Sequence, residues 1–146
     1  MGQPRELMNK ATEAILGNDL EALRDLYAPD AVGVGPDVGA LHGIDAIIDY
    51  NRTMVEAFSE MSYDYEATFE TEDRAIDQGT MVGTHTGPLR LPDGTSIPPT
   101  GKQLRVRAID VVRVENGRIV RHDFYYDQLE MLSQLGLMEA PAATQA

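Results

Sequence analysis

The sequence predicts an α+β fold, a curved antiparallel sheet wrapped around helices from the N-terminal half. Three features lead there. Apolar residues recur at helical spacing as far as residue 58 and then at a spacing of two in four later segments. No linker, repeat or low-complexity run divides the 146 residues, so both halves build one core. Helices followed by strands is the order that places helices on one face of a sheet. A chain of this length buries roughly 70% of the surface its unfolded form exposes, enough for one core with one pocket. The domain is expected over residues 1–138, with a small polar tail over 139–146.

Taken in order, Pro4 suits the first turn of a helix running to about Leu16, with Leu7, Met8, Ala11 and Ile15 as its stripe. Gly17 and Asn18 stop it. Asp19 is placed to cap a second helix, 20–26, which turns Leu20, Leu23 and Leu26 to the core. Ala28, Pro29 and Asp30 break the chain, and the glycine-rich run after them reads as a short strand near 31–34 and a loop to Gly43. A third helix follows, with Ile44, Ile47, Ile48, Met54, Val55 and Phe58 on one face and Asn51 in its middle. Strands are expected at 63–70, 79–89, 104–114 and 118–127. Asn116 and Gly117 suit the positive φ angles of a tight hairpin between the last two. Asp127 and Glu130 have capping-box spacing at the start of a last helix that ends at Gly136.

Strand parity points to a site. Between 104 and 114 one face carries Leu104, Val106, Ala108, Asp110, Val112 and Val114, so a carboxylate stands in an apolar row. Across the hairpin the same face carries Val120, His122, Phe124 and Tyr126, and in the preceding strand His85 shares a face with Met81 and Gly83. A curved sheet closed by helices is a cone. Asn51, His85, Asp110 and His122 are expected to converge inside it, with Tyr126 near one end. Asp110, His85 and His122 are the candidate catalytic groups, and Asn51, Phe124, Tyr126, Met81, Val106, Ala108 and Val112 the candidate binding wall.

Two protonation patterns are open. Desolvation disfavours a charged carboxylate, so Asp110 can stay protonated and donate to an enolate while neutral His85 or His122 removes the proton that creates it. Alternatively His122 is protonated beside an ionised Asp110, a base held by an orienting carboxylate. Each residue also has a structural role open to it: Asp110 and the histidines in a buried polar network, Asn51 on backbone, Tyr126 in packing. Asp127 is assigned to the helix cap. His42, before the third helix, is a candidate lid residue.

Composition excludes several functions. A net charge of -12 and a pI near 4.5 argue against nucleic acid and anionic membrane surfaces. The absence of cysteine removes disulfides and thiolate chemistry. No signal peptide or run of about 18 apolar residues is found, and a cytoplasmic protein is expected. Serine-nucleophile, Walker and dinucleotide motifs are missing, and two histidines with one aspartate on three strands lack metal-motif spacing, so neither cofactor nor metal is expected. Arg105, Arg107, Arg113 and Arg121 fall on the opposite face, as a charge lattice or the surface of a homodimer formed through the sheet.

The order of elements, the stretches at 17–23, 84–89 and 98–102, and the run from Asn116 through Gly136 resemble a SnoaL-like domain of the nuclear transport factor 2-like superfamily, a cone-shaped, cystatin-like α+β fold. The resemblance implies cofactor-free cyclase, isomerase or dehydratase (lyase) chemistry on a small, apolar, carbonyl-bearing molecule. In polyketide cyclases of this type a last-strand Asp is acid and base, and its position falls here on Phe124. Epoxide hydrolases of the superfamily use the same position, so that activity requires Asp123 to turn inward through a bulge. Ketosteroid isomerases resemble the chain at residues 109–113, where their oxyanion-hole acid matches Asp110, but their base matches Gly35 and their tyrosine about Ala11. Phe124 also leaves open a non-catalytic small-molecule binder.

Overall fold

A computed structural model describes residues 2–138 of the chain. Helix α1, Gln3–Leu16, holds Pro4 in its first turn and buries Leu7, Met8, Ala11 and Ala14. It stops at Gly17, with Asn18 at φ 56°. The next segment, Leu20–Asp25, is a 3-10 helix, and the Asp19 side chain makes no cap bond; its carbonyl accepts from the Ala22 N–H instead. The expected α-helix is thus a tighter turn, still turning Leu20 and Leu23 inward.

The glycine-rich run is a hairpin. Strands β1, Tyr27–Gly35, and β2, Gly39–His42, pair antiparallel, with Gly33 opposite Leu41. The glycines mark close approach: a Cβ at Gly33 would lie 3.3 Å from Ile47, and one at Gly35 only 2.0 Å from the Phe124 ring. Glycine content, read as a loop signal, here reflects neighbours pressing on a strand. His42 lies in edge strand β2, exposed.

Helix α2, Ile44–Ala57, buries Ile44, Ile47 and Ile48. It runs directly into β3, Phe58–Glu70, which pairs with β4, Arg74–His85. A small separate hairpin, β5 (Leu89–Arg90) with β6 (Ser96–Ile97), precedes β7, Gln103–Glu115. Asn116 and Gly117, at φ 51° and 77°, turn the chain into β8, Arg118–Tyr126. Helix α3, Gln128–Gln134, begins at Asp127, whose carboxylate accepts from the Glu130 N–H at 3.0 Å. The tail assigned to 139–146 lies outside the described residues.

The sheet order is β2-β1-β8-β7-β4-β3, antiparallel throughout except that β1 runs parallel to β8. Helices α1 and α2 pack against one face of it. Two apolar clusters form the core. One gathers Met8, Leu23, Tyr27, Ile48, Val112 and Ile119 beneath α1, and the other gathers Phe58, Leu89, Leu104, Val106, Met131 and Leu135 beside α3. On the far face Arg105 of β7 pairs with Asp64 of β3 at 3.1 Å, whereas Arg121 with Asp123 and Arg113 with Glu115 pair within one strand, so only the first bridges strands as the expected lattice would.

Candidate active site

Cross-strand register decides which side chains meet. In β7 Asp110 stands opposite Phe124 of β8 on one side and Asp77 of β4 on the other, while Val112 faces His122 and Ala108 faces Tyr126. Even-numbered residues of β7 and β8 therefore share the concave face as far as a register shift between Arg113 and Val114. There Arg113 pairs with Arg121 and Val114 with Ile119, so β8 has one extra residue. Ile119 takes the buried place expected for Val120.

The concave face and helices α1 and α2 enclose a cavity of about 160 Å³. Members of both core clusters line it, together with Asn51, Tyr50, Met81, Val106, Ala108, Asp110, His122, Phe124 and Tyr126. Val112 belongs instead to the closed core, fully buried beneath α1. Asn51 lines the cavity, but its Nδ2 donates to the Ile47 carbonyl at 2.9 Å, one helical turn back.

His85 does not join the group. It shares the face of Asp77 and Met81 but lies eight residues beyond Asp77, roughly 27 Å at strand rise. It is fully buried, outside the cavity lining, stacked obliquely on Phe58. Its Nδ1 lies 3.0 Å from the Thr100 hydroxyl and accepts from the Thr100 N–H at 3.2 Å. Burial lowers its pKa, with partial compensation from the Gly87 backbone, so the ring is neutral and anchors the loop before β7. Parity was right for His85; distance along the strand removes it from the site.

Asp110 and His122 do meet. His122 Nε2 lies 2.7 Å from Asp110 Oδ1, and Nδ1 lies 2.7 Å from the hydroxyl of Tyr27 on β1. The Tyr27 and His122 ring planes are 14° from parallel, with centroids 6.1 Å apart. Burial, and then the Asp110 charge, raise the Tyr27 pKa, so its hydroxyl keeps its proton. A Tyr27 O–H donated to Nδ1 places the imidazole proton on Nε2, directed at Asp110 Oδ1. This chain gives every polar hydrogen an acceptor. The second Asp110 oxygen has no hydrogen-bond partner among the described residues, and the side chain is only partly buried against the cavity.

Sequence reasoning missed three neighbouring groups. Asp77 lines the cavity and is 2% exposed; its Oδ1 accepts from Arg5 Nη2 of α1 at 2.6 Å. Burial raises its pKa, Arg5 opposes that, and the Asp110 charge adds to it. Its parity with Met81 would have disclosed it had β4 been started five residues earlier. Tyr27 carried no signal, since it falls between the expected second helix, 20–26, and the break at 28–30. Tyr50, one residue from Asn51, packs its ring 5.0 Å from Phe124 and points its hydroxyl at Asp37, 3.4 Å away. Burial foremost, then Asp37, holds the hydroxyl of Tyr126 protonated, and the same causes act on Tyr50 with Tyr126 added.

Asp123 lies on the outer face, opposite Val111 and forked by Arg121 at 2.9 and 3.0 Å. The register shift in β8 falls at Val120 and leaves Asp123 facing outward, so the inward turn that epoxide hydrolysis needs is not made. Among the described residues no three His, Asp or Glu side chains are grouped to hold a metal, and no helix is long and apolar enough to cross a membrane.

Residues 9–122 match the SnoaL-like domain family. Among solved structures, IdmH from Streptomyces antibioticus, a proposed polyketide cyclase, is 30% identical, with 92% of this chain and 99% of that chain covered and a TM-score of 0.74. A proposed SnoaL-like polyketide cyclase from Jannaschia Sp. CCS1 gives a TM-score of 0.81 at 18% identity, covering 93% of each chain. A protein of ketosteroid isomerase-like fold from Catenulispora acidiphila DSM 44928 gives 0.73 at 19% identity, covering 91% of this chain and 94% of that one. No curated protein gives a significant match.

Proposed function

The chain belongs to the SnoaL-like family, and from that premise we propose that it is a cofactor-independent acid/base enzyme acting on a small, apolar, carbonyl-bearing molecule. The observation that carries this reading is the Tyr27–His122–Asp110 chain, which uses one Asp110 oxygen and leaves the other without a hydrogen-bond partner among the described residues, in a side chain that lines a largely apolar cavity. That oxygen takes a proton from a carbon beside a carbonyl, and the electron pair of the C–H bond moves into an enolate. Returning the proton to another carbon completes an isomerisation. Attack of the enolate on a second carbonyl of the same substrate closes a ring. Asp110 is then the catalytic base, and His122 and Tyr27 are positioning residues. Tyr126 lines the cavity, its hydroxyl kept protonated by burial and shared with Asp37 and Tyr50. General acid/base groups supply on the order of 10²- to 10⁴-fold each, sufficient for an activated carbon acid.

Solvent deuterium uptake at the α-carbon of 2-tetralone tests the reading without knowledge of the natural substrate. Wild type accelerates exchange, and Asp110→Asn, isosteric and unable to accept a proton, loses about 10²- to 10⁴-fold of it. No acceleration by folded wild type, or full activity in Asp110→Asn, rejects the reading. The alternative, a non-catalytic binder, is favoured by Phe124 at the position of the family's last-strand acid; it predicts binding of 2-naphthol without exchange of 2-tetralone. A homodimer through the outer face of the sheet belongs to the same proposal, supported by the exposed cross-strand pair Ile109 and Tyr125.

A further inference from the structure

The proposed reaction puts negative charge on the substrate, yet the cavity offers nothing cationic to meet it. Among its described lining residues there is no lysine or arginine, while Asp77 and Asp110 stand opposite each other on neighbouring strands. Arg5 balances Asp77 from outside the lining. With His122 neutral, as the acid/base reading has it, no cationic side chain among the described lining residues faces the Asp110 carboxylate. The whole chain adds a net charge of -12. An anion entering here would lose its water to face a carboxylate with no counter-ion, a desolvation cost that binding cannot offset. A cation gains from the same arrangement, and the wall suits one. Tyr50, Phe58, Tyr63 and Phe124 contribute ring surface, and five of the seven methionines line the space with polarizable sulfur.

From this we infer that the cavity takes a carbonyl compound bearing a protonated or quaternary nitrogen near its acidic carbon, and rejects carboxylates. The inference shares with the acid/base reading the ionised Asp110, and it names the substrate class of that same site. A cationic nitrogen acidifies the neighbouring C–H bond and balances the enolate as its proton passes to Asp110. Before the step the site holds a carboxylate and a cation; after it, a carboxylic acid and a zwitterionic enolate. The net charge in the cavity is zero throughout, which is the condition for a step run in a space without cationic side chains.

Calorimetric binding of three matched ligands at neutral pH tests this: 1-naphthylmethylamine, 1-naphthalenemethanol and 1-naphthoate, with wild type and Asp110→Asn. The amine is expected to bind about tenfold tighter than the alcohol, and the acid weaker than either. In Asp110→Asn the advantage of the amine disappears while the alcohol holds its affinity. Naphthoate binding as tightly as the amine, failure of the amine to bind, or an amine preference that survives Asp110→Asn overturns the inference. Should the variant not fold, the wild-type order of the three ligands decides by itself. Because binding is read at equilibrium, loss of 2-tetralone exchange with the ligand order intact rejects only the acid/base reading, and the reverse result rejects only the charge selection.

Discussion

Phe124 and Gly35 share one volume. The ring of Phe124 lies where a Cβ on Gly35 would be, 2.0 Å away, and it packs edge-on to His122 and obliquely on Tyr50. The places that the resemblance gives to the isomerases' base and to the cyclases' acid are thus neighbours on adjacent strands that compete for one space. Gly35→Ala is expected to cost about 1–3 kcal/mol of stability, as overpacking does, and most of that cost should vanish in a Phe124→Ala background. Denaturant titrations of the two single variants and the double variant check this; additive effects would contradict it. At this scale Asp110, His122, Phe124 and Tyr126 were legible because strand parity is a local property. Tyr27 was not, because its importance depends on β1 lying parallel to β8, a long-range pairing that leaves no trace in local pattern. His85 shows the converse limit, in that parity gives the face and says nothing about how far along it a residue lies.

Among the elements, α1 contributes more than its apolar stripe. Arg5 reaches from its first turn to Asp77, with 11% and 4% of the two side chains exposed, and so ties the helix to the middle of β4. Burial is the larger influence on Asp77, so its folded pKa stands above the ordinary value even with Arg5 in place. A carboxyl raised in this way takes up a proton on folding. Its contribution is therefore fully favourable below the unfolded pKa and declines as pH rises through the folded one. Removing Arg5 leaves the charge uncompensated, and Arg5→Met is expected to lose about 3–5 kcal/mol near neutrality, with the loss shrinking as pH falls. Thermal unfolding of wild type and variant between mildly acidic and neutral pH measures it; a pH-independent loss would mean that packing alone accounts for the helix. Helices α1 and α2 and the last two strands were readable from periodicity and the Asn-Gly turn. The β1–β2 hairpin was hidden by glycines whose presence reflects contacts with Ile47 and Phe124.

For the molecule as a whole, two apolar clusters with a cavity between them explain how one small domain keeps a ligand-sized space without collapsing: α1 and α3 each close a separate end over its own core. The exposed faces of Ile109 and Tyr125, 38% and 58% accessible, sit among the arginine and acid pairs of the outer sheet. If that face joins two copies, Tyr125→Glu halves the mass read by light scattering and leaves unfolding of the monomer little changed; a wild-type monomer at the same concentration would dismiss the dimer. The central claim is that Tyr27 and His122 hold Asp110 as a carboxylate with one oxygen free for the substrate. Long-range ¹H–¹⁵N NMR of the His122 ring at neutral pH tests it most directly. The expected spectrum shows a neutral imidazole with its proton on Nε2, a tautomer that the Asp110 carboxylate keeps in Tyr27→Phe. A proton resident on Nδ1 would make Asp110 the donor in that hydrogen bond, and the cavity would then hold no base.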